Sequence, residues 1–185
     1  MHISCIRHGE SYHNVDFNNS GVDAYFDVSN TDPHLTENGI NMAIRLYNNW
    51  SEKSNVEIVF VSPLLRTLET CECIFGKYPS IPIVVLDTLL ESPQGSHTPN
   101  IRSPKSTLEI MYPDFIFDTI KEYQKEYTQE ETVFQLKERV QTFNYFLKQI
   151  KETNVAVIGH NSFFKEFLNI DENINHCTPY TKINV

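Results

Sequence analysis

The chain has 185 residues, of which 40% are hydrophobic and 21% are charged, values typical of one domain with a full-sized core. Its formal charge of −9 argues against a nucleic-acid-binding protein and against binding to an anionic membrane surface, because both need a basic face. Any site for a phosphate must therefore be a local basic island in an acidic molecule.

Cysteine usage and hydropathy suggest where the protein works. Cys5 falls in a predicted buried strand, Cys71 and Cys73 fall in a predicted helix, and together with Cys177 they show no C-x-x-C spacing. This pattern favours reduced intracellular thiols. No apolar run is long enough to span a bilayer, and the first predicted strand begins almost at Met1, which leaves no room for a signal peptide. We expect a cytoplasmic protein.

The front of the chain carries its most informative stretch. An apolar run, Ile3–Ile6, ends abruptly at Arg7-His8-Gly9, which predicts a buried strand that delivers an arginine and a histidine to a turn. An imidazole can attack phosphorus, and a guanidinium can hold phosphate oxygens through two parallel hydrogen bonds. Our hypothesis is that His8 is a nucleophile for a phosphoryl group.

Residues 11–35 are rich in Asn, Asp, Ser and Gly and show little periodicity, so they predict a long loop. Loops of this length are usually functional or disordered, and this one starts beside His8, so we favour a functional loop. Asn14 and the Ser20-Gly21 pair are its candidates for contact with phosphate or substrate. On composition alone, simple turn formation is the better interpretation of each.

A helix is predicted from Thr36, a plausible N-cap. Its predicted apolar face consists of Ile40, Ala43, Ile44 and Tyr47, at helical spacing.

Residues 56–61 form a second predicted strand, and the helix after it places Arg66 in its first turn. Free backbone N–H groups and the helix dipole favour an anion there, so a cation at this position needs a negative partner. A surface salt bridge is the simpler interpretation of Arg66 taken alone.

Residues 81–90 predict a third strand that ends at Glu91, followed by a polar loop at 92–107. This loop carries His97, Arg102 and Lys105 as candidate specificity groups. Residues 106–129 predict one or two short helices, and we treat 92–132 as a lid or specificity insertion in a single domain that spans 1–185.

The last third of the chain predicts a long helix over 132–151 and a fourth strand at 155–158. The helix has an apolar stripe at Val133, Leu136, Val140, Phe143, Leu147 and Ile150. Gly159-His160-Asn161 follows the strand, then a short helix around 162–169 and an extended piece near 177–185.

Strands alternate with helices, and each apolar strand is continuous rather than alternating. This pattern predicts an α/β fold with a mostly parallel sheet covered by helices on both faces. Ligand sites in such sheets lie beyond the carboxyl ends of the strands. Groups suited to phosphoryl chemistry follow four different predicted strands: Arg7-His8, Arg66, Glu91 and His160.

These groups together allow a two-step reaction. His8 would attack phosphorus through a neutral ring nitrogen, while Arg7, Arg66 and His160 bind the nonbridging oxygens and Asn14 adds a neutral donor. Glu91 would protonate the leaving alkoxide and later accept a proton from water. We expect no metal requirement, because the basic pocket supplies the positive charge. The remaining histidines are interpreted as structural, without metal-ligand spacing: His2, His13, His34, His97 and His176.

The ordered set of residues resembles a known family. Arg7-His8-Gly9-Glu10-Ser11 followed by Asn14 is similar to the signature of the histidine phosphatase superfamily, in its phosphoglycerate mutase-like branch. Further matching elements occur in the family's order over nearly the whole chain: Leu35-Thr36 with Gly39, Ser62-Pro63 with Arg66 and Thr70, Leu90-Glu91, and His160. The resemblance implies a three-layer α/β/α sandwich and a phosphohistidine on His8. It also implies a phosphate pocket of Arg7, Arg66 and His160, with Glu91 as proton donor.

Two activities within this family remain open at this point. Ser20-Gly21 lies at the spacing from Asn14 seen in cofactor-dependent phosphoglycerate mutases, where the pair touches substrate. Those mutases follow the acid with an Arg and a nearby Tyr that hold the substrate, whereas Glu91 here precedes Ser92-Pro93-Gln94. The 92–132 segment is also net acidic, which suits poorly a site that retains a bisphosphorylated cofactor.

We therefore expect a phosphatase that acts on a small phosphomonoester. Arg102 and Lys105 could restore a second anion site, which keeps a mutase as the alternative. A non-catalytic module that binds a phosphorylated ligand is a third interpretation, weakened because no catalytic group is missing. A protein phosphatase is a further alternative, because the 92–132 segment suits either a lid over a small ligand or a docking surface. We expect a small phosphorylated substrate, no cofactor, no nucleic acid and no membrane partner, and we leave a homodimer open.

Overall fold

The computed structural model describes residues 1–126 and 128–183. Its strands are β1 (His2–Arg7), β2 (Ile58–Val61), β3 (Ile83–Val85), β4 (Asn154–Gly159) and β5 (Pro179–Ile183). Its α-helices are α1 (Tyr12–Ser20), α2 (Glu37–Asn49), α3 (Leu65–Phe75), α4 (Lys105–Met111), α5 (Val133–Leu147) and α6 (Asn161–Leu168). Short 3-10 turns lie at Gly21–Tyr25, Val28–Asn30, Ser51–Asn55, Asp87–Leu89 and Thr98–Asn100.

The five strands form one sheet in the order β3-β2-β4-β1-β5. The pairs β3-β2, β2-β4 and β4-β1 are parallel, and only β5 runs antiparallel to its neighbour. The register pairs Arg7 with Gly159 and Val61 with Ile158, so β1, β2 and β4 end at the same edge of the sheet. The predicted α/β fold with a mostly parallel sheet is confirmed.

Helices cover both faces of the sheet because alternate strand residues point to opposite sides. Val61 of β2 packs in an apolar cluster with Ala43 of α2 and Leu68 of α3. Its neighbour Phe60 packs in a second cluster with Phe143 of α5 and with residues of α6. These two cores give the three layers of the α/β/α sandwich.

The long loop predicted at 11–35 is wrong in its first part, because α1 occupies Tyr12–Ser20. This helix has no apolar stripe, since His13 is its only buried residue, and hydrophobic periodicity therefore could not reveal it. Its first turn is held by a side-chain contact instead. Asn14 Oδ1 accepts hydrogen bonds from the backbone N and the hydroxyl of Ser11, at 3.0 and 2.9 Å.

The third strand is shorter than the predicted 81–90, since β3 ends at Val85. The chain then turns at Asp87–Leu89, where the Asp87 carboxylate pairs with Arg102. Glu91 therefore follows a turn rather than a strand end.

Two predicted apolar faces need correction at their margins. Ile40 and Ile44 of α2 are 40% and 42% exposed, whereas Ala43 of the predicted face is buried, together with Gly39 and Leu46. Val133 of α5 is 69% exposed, because it lies in the first turn, ahead of the part of the helix that meets the sheet.

Several predicted boundaries are confirmed. The hydroxyl of Thr36 caps α2 by accepting from Gly39 N at 3.0 Å. A short helix follows β4, and the extended tail is β5, although residues 184–185 of that prediction lie outside the described residues. Of the short helices predicted over 106–129, only α4 occurs in the described residues, and residue 127 lies outside them. A single domain with an insertion at 92–132, a range that also includes residue 127, stays a prediction.

Two further features concern the whole chain. The four cysteines form no disulfide. Among residues 1–126 and 128–183, no helix combines the length and the apolar character that crossing a membrane would need.

Candidate active site

The parallel register of β1 and β4 brings two histidines together. Arg7 pairs with Gly159, and the backbone N of His8 donates to Gly159 O at 3.1 Å. The imidazole rings of His8 and His160 follow these strand ends with centroids 5.2 Å apart. Both rings are buried, so they face each other away from bulk water.

His8 has one ring nitrogen committed and one free. Its Nδ1 lies 2.6 Å from the carbonyl oxygen of Gly9, which can only accept, so Nδ1 carries the proton. Nε2 therefore keeps its lone pair. Burial lowers the pKa of His8 well below its ordinary value, and the positive charge of Arg66 adds to this effect. The ring is neutral at physiological pH, as attack on phosphorus requires.

The turn that carries His8 is clamped between two helices. The backbone N of Gly9 donates to the hydroxyl of Thr70 at 3.0 Å, and that hydroxyl donates to Arg66 O at 2.7 Å. On the other side, a Cβ atom at Gly9 would lie 2.5 Å from the carbonyl oxygen of Gly39 in α2. The close approach of these two backbones explains why glycine occupies both positions.

Arg66 is buried beside the histidines, in the first turn of α3. Its Nη1 donates to Pro99 O at 2.5 Å and its Nη2 to Asn100 Oδ1 at 3.2 Å, while its Nε has no hydrogen-bond partner. Burial lowers its pKa to about 10, so the guanidinium stays charged at neutral pH. The same burial leaves a cation that an anion can stabilise.

Arg7 shows the same arrangement from the end of β1. Its Nη1 donates to Ile174 O at 2.9 Å, and its buried Nε has no partner. Burial lowers the pKa of Arg7, and the negative charge of Glu91 opposes that shift.

His160 adds a third unpartnered nitrogen. Its Nε2 lies 2.8 Å from the hydroxyl of Ser62, and its buried Nδ1 has no partner. When Ser62 donates to Nε2, Nδ1 carries the proton and can donate in turn. Burial lowers the pKa of His160 well below its ordinary value, so this donor is neutral.

Three of the four buried side-chain polar atoms without a partner in the described residues therefore belong to Arg7, Arg66 and His160. An unsatisfied buried donor costs about 1–3 kcal/mol, so such atoms rarely gather without a reason. The three side chains all interact electrostatically with His8, and a tetrahedral anion supplies oxygen atoms of the kind that their free donors lack.

Glu91 lies at the N-terminus of α6. Its carboxylate accepts from Ser92 N at 2.8 Å, from Ser162 N at 3.2 Å and from Phe163 N at 3.3 Å. It interacts electrostatically with Arg7 and Arg66, so it belongs to the same group of side chains.

Arg139 of α5 holds the backbone segment that leads to Glu91. It donates to the carbonyls of Thr88 and Leu90 and pairs with Glu131 at 2.8 Å. The carboxylate thus reaches the sheet edge through a turn that is held by a helix on one face of the sheet.

Two further histidines reach the site, although the sequence indicated a structural role for both. His176 Nδ1 donates to His8 O at 2.5 Å, and its ring packs edge-on against His8 with centroids 5.2 Å apart. His13 lies 6.0 Å from His8 and contacts Ser11 and Asn14. Burial lowers the pKa of His176 to about 4 and that of His13 to about 2.

A sequence signal existed for only one of these two. His13 follows His8 by five residues within the Ser11–Asn14 turn, and a correct helix prediction would have placed it there. His176 reaches the site because residue 176 pairs with Arg7 at the end of β1, a long-range contact that local pattern does not encode.

The predicted substrate-binding residues divide into two groups. Asn14 lies in the network next to His8, with its Nδ2 3.1 Å from His13 Nε2. Ser20 is exposed, and its hydroxyl donates to Asp16 O at 2.8 Å within α1. Gly21 ends that helix with a φ of +65°, and nothing lies within 4 Å of where its Cβ would be. The structure thus brings Asn14, but not Ser20 or Gly21, to the histidines.

Arg102 has a different role from the predicted one. Its side chain is fully buried, Nε donates to Asp87 Oδ1 at 2.8 Å, and its Nη atoms donate to the carbonyls of Lys121, Glu122 and Ser103. Because these partners occupy the guanidinium, Arg102 holds the loop together and cannot serve as a second anion site.

Comparison with known proteins gives a family and a fold. A 5''-phosphoribostamycin phosphatase of Niallia circulans is 34% identical over 93 residues, 49% of this chain and 41% of that protein. Phosphoglycerate mutase-like protein 1 of Arabidopsis thaliana is 24% identical over 212 residues, 97% of this chain and 74% of that protein. The chain spans only 41% and 38% of the length of the first two curated relatives that it matches.

A solved alpha-ribazole phosphatase from Shigella flexneri shares the fold. It superposes with a TM-score of 0.67 at 18% identity, covering 100% of this chain and 91% of that one. The family model for the histidine phosphatase superfamily (branch 1) matches residues 3–174, nearly the whole chain. The chain therefore belongs to the histidine phosphatase superfamily.

Proposed function

We propose that this chain is a phosphatase that hydrolyses a small phosphomonoester through a phosphohistidine on His8. The observation that carries the proposal is a neutral His8 with a free Nε2 lone pair, together with unpartnered buried nitrogens on the three side chains that interact electrostatically with it: Arg7, Arg66 and His160. A nucleophile needs an unprotonated atom, and a phosphoryl group supplies oxygen acceptors for nitrogens that have none.

In the first step, His8 Nε2 forms a bond to phosphorus as the bond from phosphorus to the leaving oxygen breaks. The guanidinium groups of Arg7 and Arg66 and the Nδ1 of His160 hold the equatorial oxygens, where charge spreads in the transition state. Glu91, in its protonated form, gives its proton to the leaving alkoxide, so that an alcohol departs.

In the second step, water attacks the phosphohistidine. Glu91, now a carboxylate, accepts a proton from this water, the P–N bond breaks, and inorganic phosphate leaves with His8 neutral again. The positive charge that stabilises both transition states comes from Arg7 and Arg66, so the proposed mechanism does not require a metal ion.

The proposal includes the roles given to six residues: His8, Arg7, Arg66, His160, Glu91 and Asn14. We also propose that the substrate is small and that the protein is located in the cytoplasm. A homodimer stays open. The mutase alternative is not favoured, because the Arg102 expected to hold a second anionic group is occupied by Asp87. Relatives of this chain also carry phosphatase names.

Phosphate release from an aryl phosphate, in the presence of a metal chelator, tests the proposal. We expect the parent to release phosphate and His8→Ala to lose at least about a thousandfold in kcat, since it lacks the nucleophile. His2→Ala is the matched control, because His2 lies at the opposite end of the same strand. Unimpaired turnover by a folded His8→Ala protein would overturn the mechanism.

A further inference from the structure

Four aromatic rings form a group beside the proposed phosphate pocket, which we name the aromatic wall: Phe17, Tyr25, Phe26 and His97. Tyr25 stacks on His97 with centroids 4.7 Å apart and an angle of 6° between the rings. Phe26 meets His97 edge-on at 5.4 Å, and Phe17 lies 5.1 Å from Tyr25. The rings come from two separate segments, so tertiary structure assembles the wall.

The wall adjoins the catalytic groups. The hydroxyl of Thr98 donates to Asp27 O at 2.7 Å and joins the two segments that carry the rings. Pro99 and Asn100, just beyond His97, are the partners of the Arg66 guanidinium. Burial raises the pKa of the Tyr25 phenol, and the negative charge of Glu91, the proposed proton donor to the leaving group, adds to that shift.

The wall presents apolar surface to solvent. Phe26 is 56% exposed and Phe17 is 38% exposed, although Phe26 packs against His97 and Phe17 packs against Tyr25. Aromatic side chains with one face packed and one face open beside a pocket are suited to stacking against a ligand.

Charge around the wall disfavours an anionic ligand there. The carboxylate of Glu130 lies 3.6 Å from His97 Nε2, and Asp27 follows Phe26 directly in the chain. Arg102 and Lys105 were the candidates for binding a second anionic group of the substrate, and both are paired. Arg102 pairs with Asp87, and Lys105 pairs with Glu109 at 3.5 Å. A carboxylate or second phosphate on the substrate would meet like charge at this side of the pocket.

We propose that the aromatic wall binds the leaving alcohol of the substrate and that this alcohol carries an uncharged aromatic group. This inference rests on the proposed phosphatase function and adds the class of substrate to it. The phosphate occupies the arginine and histidine pocket, Glu91 protonates the ester oxygen, and the aromatic group lies against Phe17 and Phe26.

The test uses three phosphate esters whose leaving oxygen is bonded to an aliphatic carbon: phenethyl phosphate, butyl phosphate and 3-phosphoglycerate. None of them has a phenolate leaving group, so the aromatic substrate gains no advantage from a more acidic leaving alcohol. We expect the parent to prefer phenethyl phosphate over 3-phosphoglycerate by about tenfold or more in kcat/KM, the size that one or two aromatic contacts supply.

The variants Phe26→Ala and Phe17→Ala should lower kcat/KM for phenethyl phosphate more than for butyl phosphate, chiefly through KM. Tyr145→Ala is the matched control, because Tyr145 is an exposed aromatic residue of α5 outside the wall, 73% exposed. A Phe26→Ala variant with the parent's ratio between the two substrates, or a parent that prefers 3-phosphoglycerate, would overturn the proposal.

Binding separates this inference from the proposed function. Calorimetry with phenethylphosphonate and with 3-phosphonopropionate needs no turnover, so it reports on the wall even in a protein that releases no phosphate. Tighter binding of the aromatic phosphonate that Phe26→Ala weakens would support aromatic binding at the wall. In that case, a protein that releases no phosphate would refute only the proposed phosphatase function. Equal binding of both phosphonates would refute the wall whatever the activity.

Discussion

His8 combines two properties that a free histidine does not have. The Gly9 carbonyl fixes its tautomer, and burial beside Arg66 keeps the ring neutral, so Nε2 is available as a nucleophile. The same environment surrounds His160, His176 and His13, which are also held neutral. The positive charge of the site therefore resides on its two arginines, and the histidines act as neutral groups.

The role proposed for Glu91 predicts a dependence on the leaving group. Glu91→Gln cannot donate a proton, so we expect a loss of about a hundredfold or more in phosphohistidine formation from an alkyl phosphate. Nitrophenolate leaves without protonation, so formation from nitrophenyl phosphate should fall much less. Rapid-quench measurement of the two rates in the variant and the parent checks this. Equal losses for both substrates would show that Glu91 is not the proton donor.

At the scale of elements, the site depends on the close packing of the β1 turn against the start of α2. A Cβ atom at Gly39 would lie 1.9 Å from the carbonyl oxygen of Glu10, two residues after His8. Because neither partner is a flexible side chain, relief of this overlap requires movement of the backbone that positions the nucleophile.

We therefore expect Gly39→Ala to lower the free energy of unfolding by about 1–3 kcal/mol and to reduce kcat in the folded protein. Asn41→Ala is the control, since Asn41 is exposed on the same helix. Urea unfolding and steady-state kinetics measure the two effects. A Gly39→Ala variant with parental stability and kcat would show that the turn is not clamped as described.

How far the sequence predicted these elements depends on the type of signal each one carried. Amphipathic helices and continuous apolar strands were predicted well, because their spacing reflects the sheet and the two cores directly. α1 was missed because a side-chain cap by Asn14 holds its first turn and no apolar stripe marks it. The end of β3 was misplaced because the ion pair between Asp87 and Arg102, which sequence cannot show, accompanies the turn.

The same distinction applies to the candidate site. Residues that directly follow strands, such as His8 and His160, could be placed together from topology alone. His176 could not, because its position depends on how the chain crosses the end of β1 before β5. Arg102 was misinterpreted because a basic residue in a polar loop suggests an anion site until its partners are known.

At the scale of the whole molecule, four neutral histidines make folding sensitive to acid: the buried His8, His13 and His160, and the half-buried His176. Their pKa values are lowered in the folded state, to about 4 for His176 and about 2 for His13, whereas an unfolded histidine titrates near about 6.5. As the pH falls below about 6.5, the unfolded chain binds protons that the folded chain does not, so stability decreases.

Each such group can lower the free energy of unfolding by up to about 1.4 kcal/mol per pH unit between its unfolded and folded pKa values. We therefore expect the free energy of unfolding to decrease by roughly several kcal/mol between pH 7 and pH 5. His13→Gln should make that decline shallower, because it removes one of the four groups. Urea titrations of both proteins across this range provide the measurement, and a parent as stable at pH 5 as at pH 7 would contradict the buried neutral state.

The mechanism requires a phosphoryl group bonded to His8, and trapping this phosphohistidine is the decisive experiment. Glu91→Gln, mixed with nitrophenyl phosphate and quenched in alkali, should accumulate protein with one added phosphoryl group, because the variant lacks the base for the second step. Peptide mass spectrometry should locate that group on His8, and His8→Ala should show none. A phosphoryl group found on another residue, or rapid turnover with no phosphorylated protein at any time, would rule out His8 as the nucleophile.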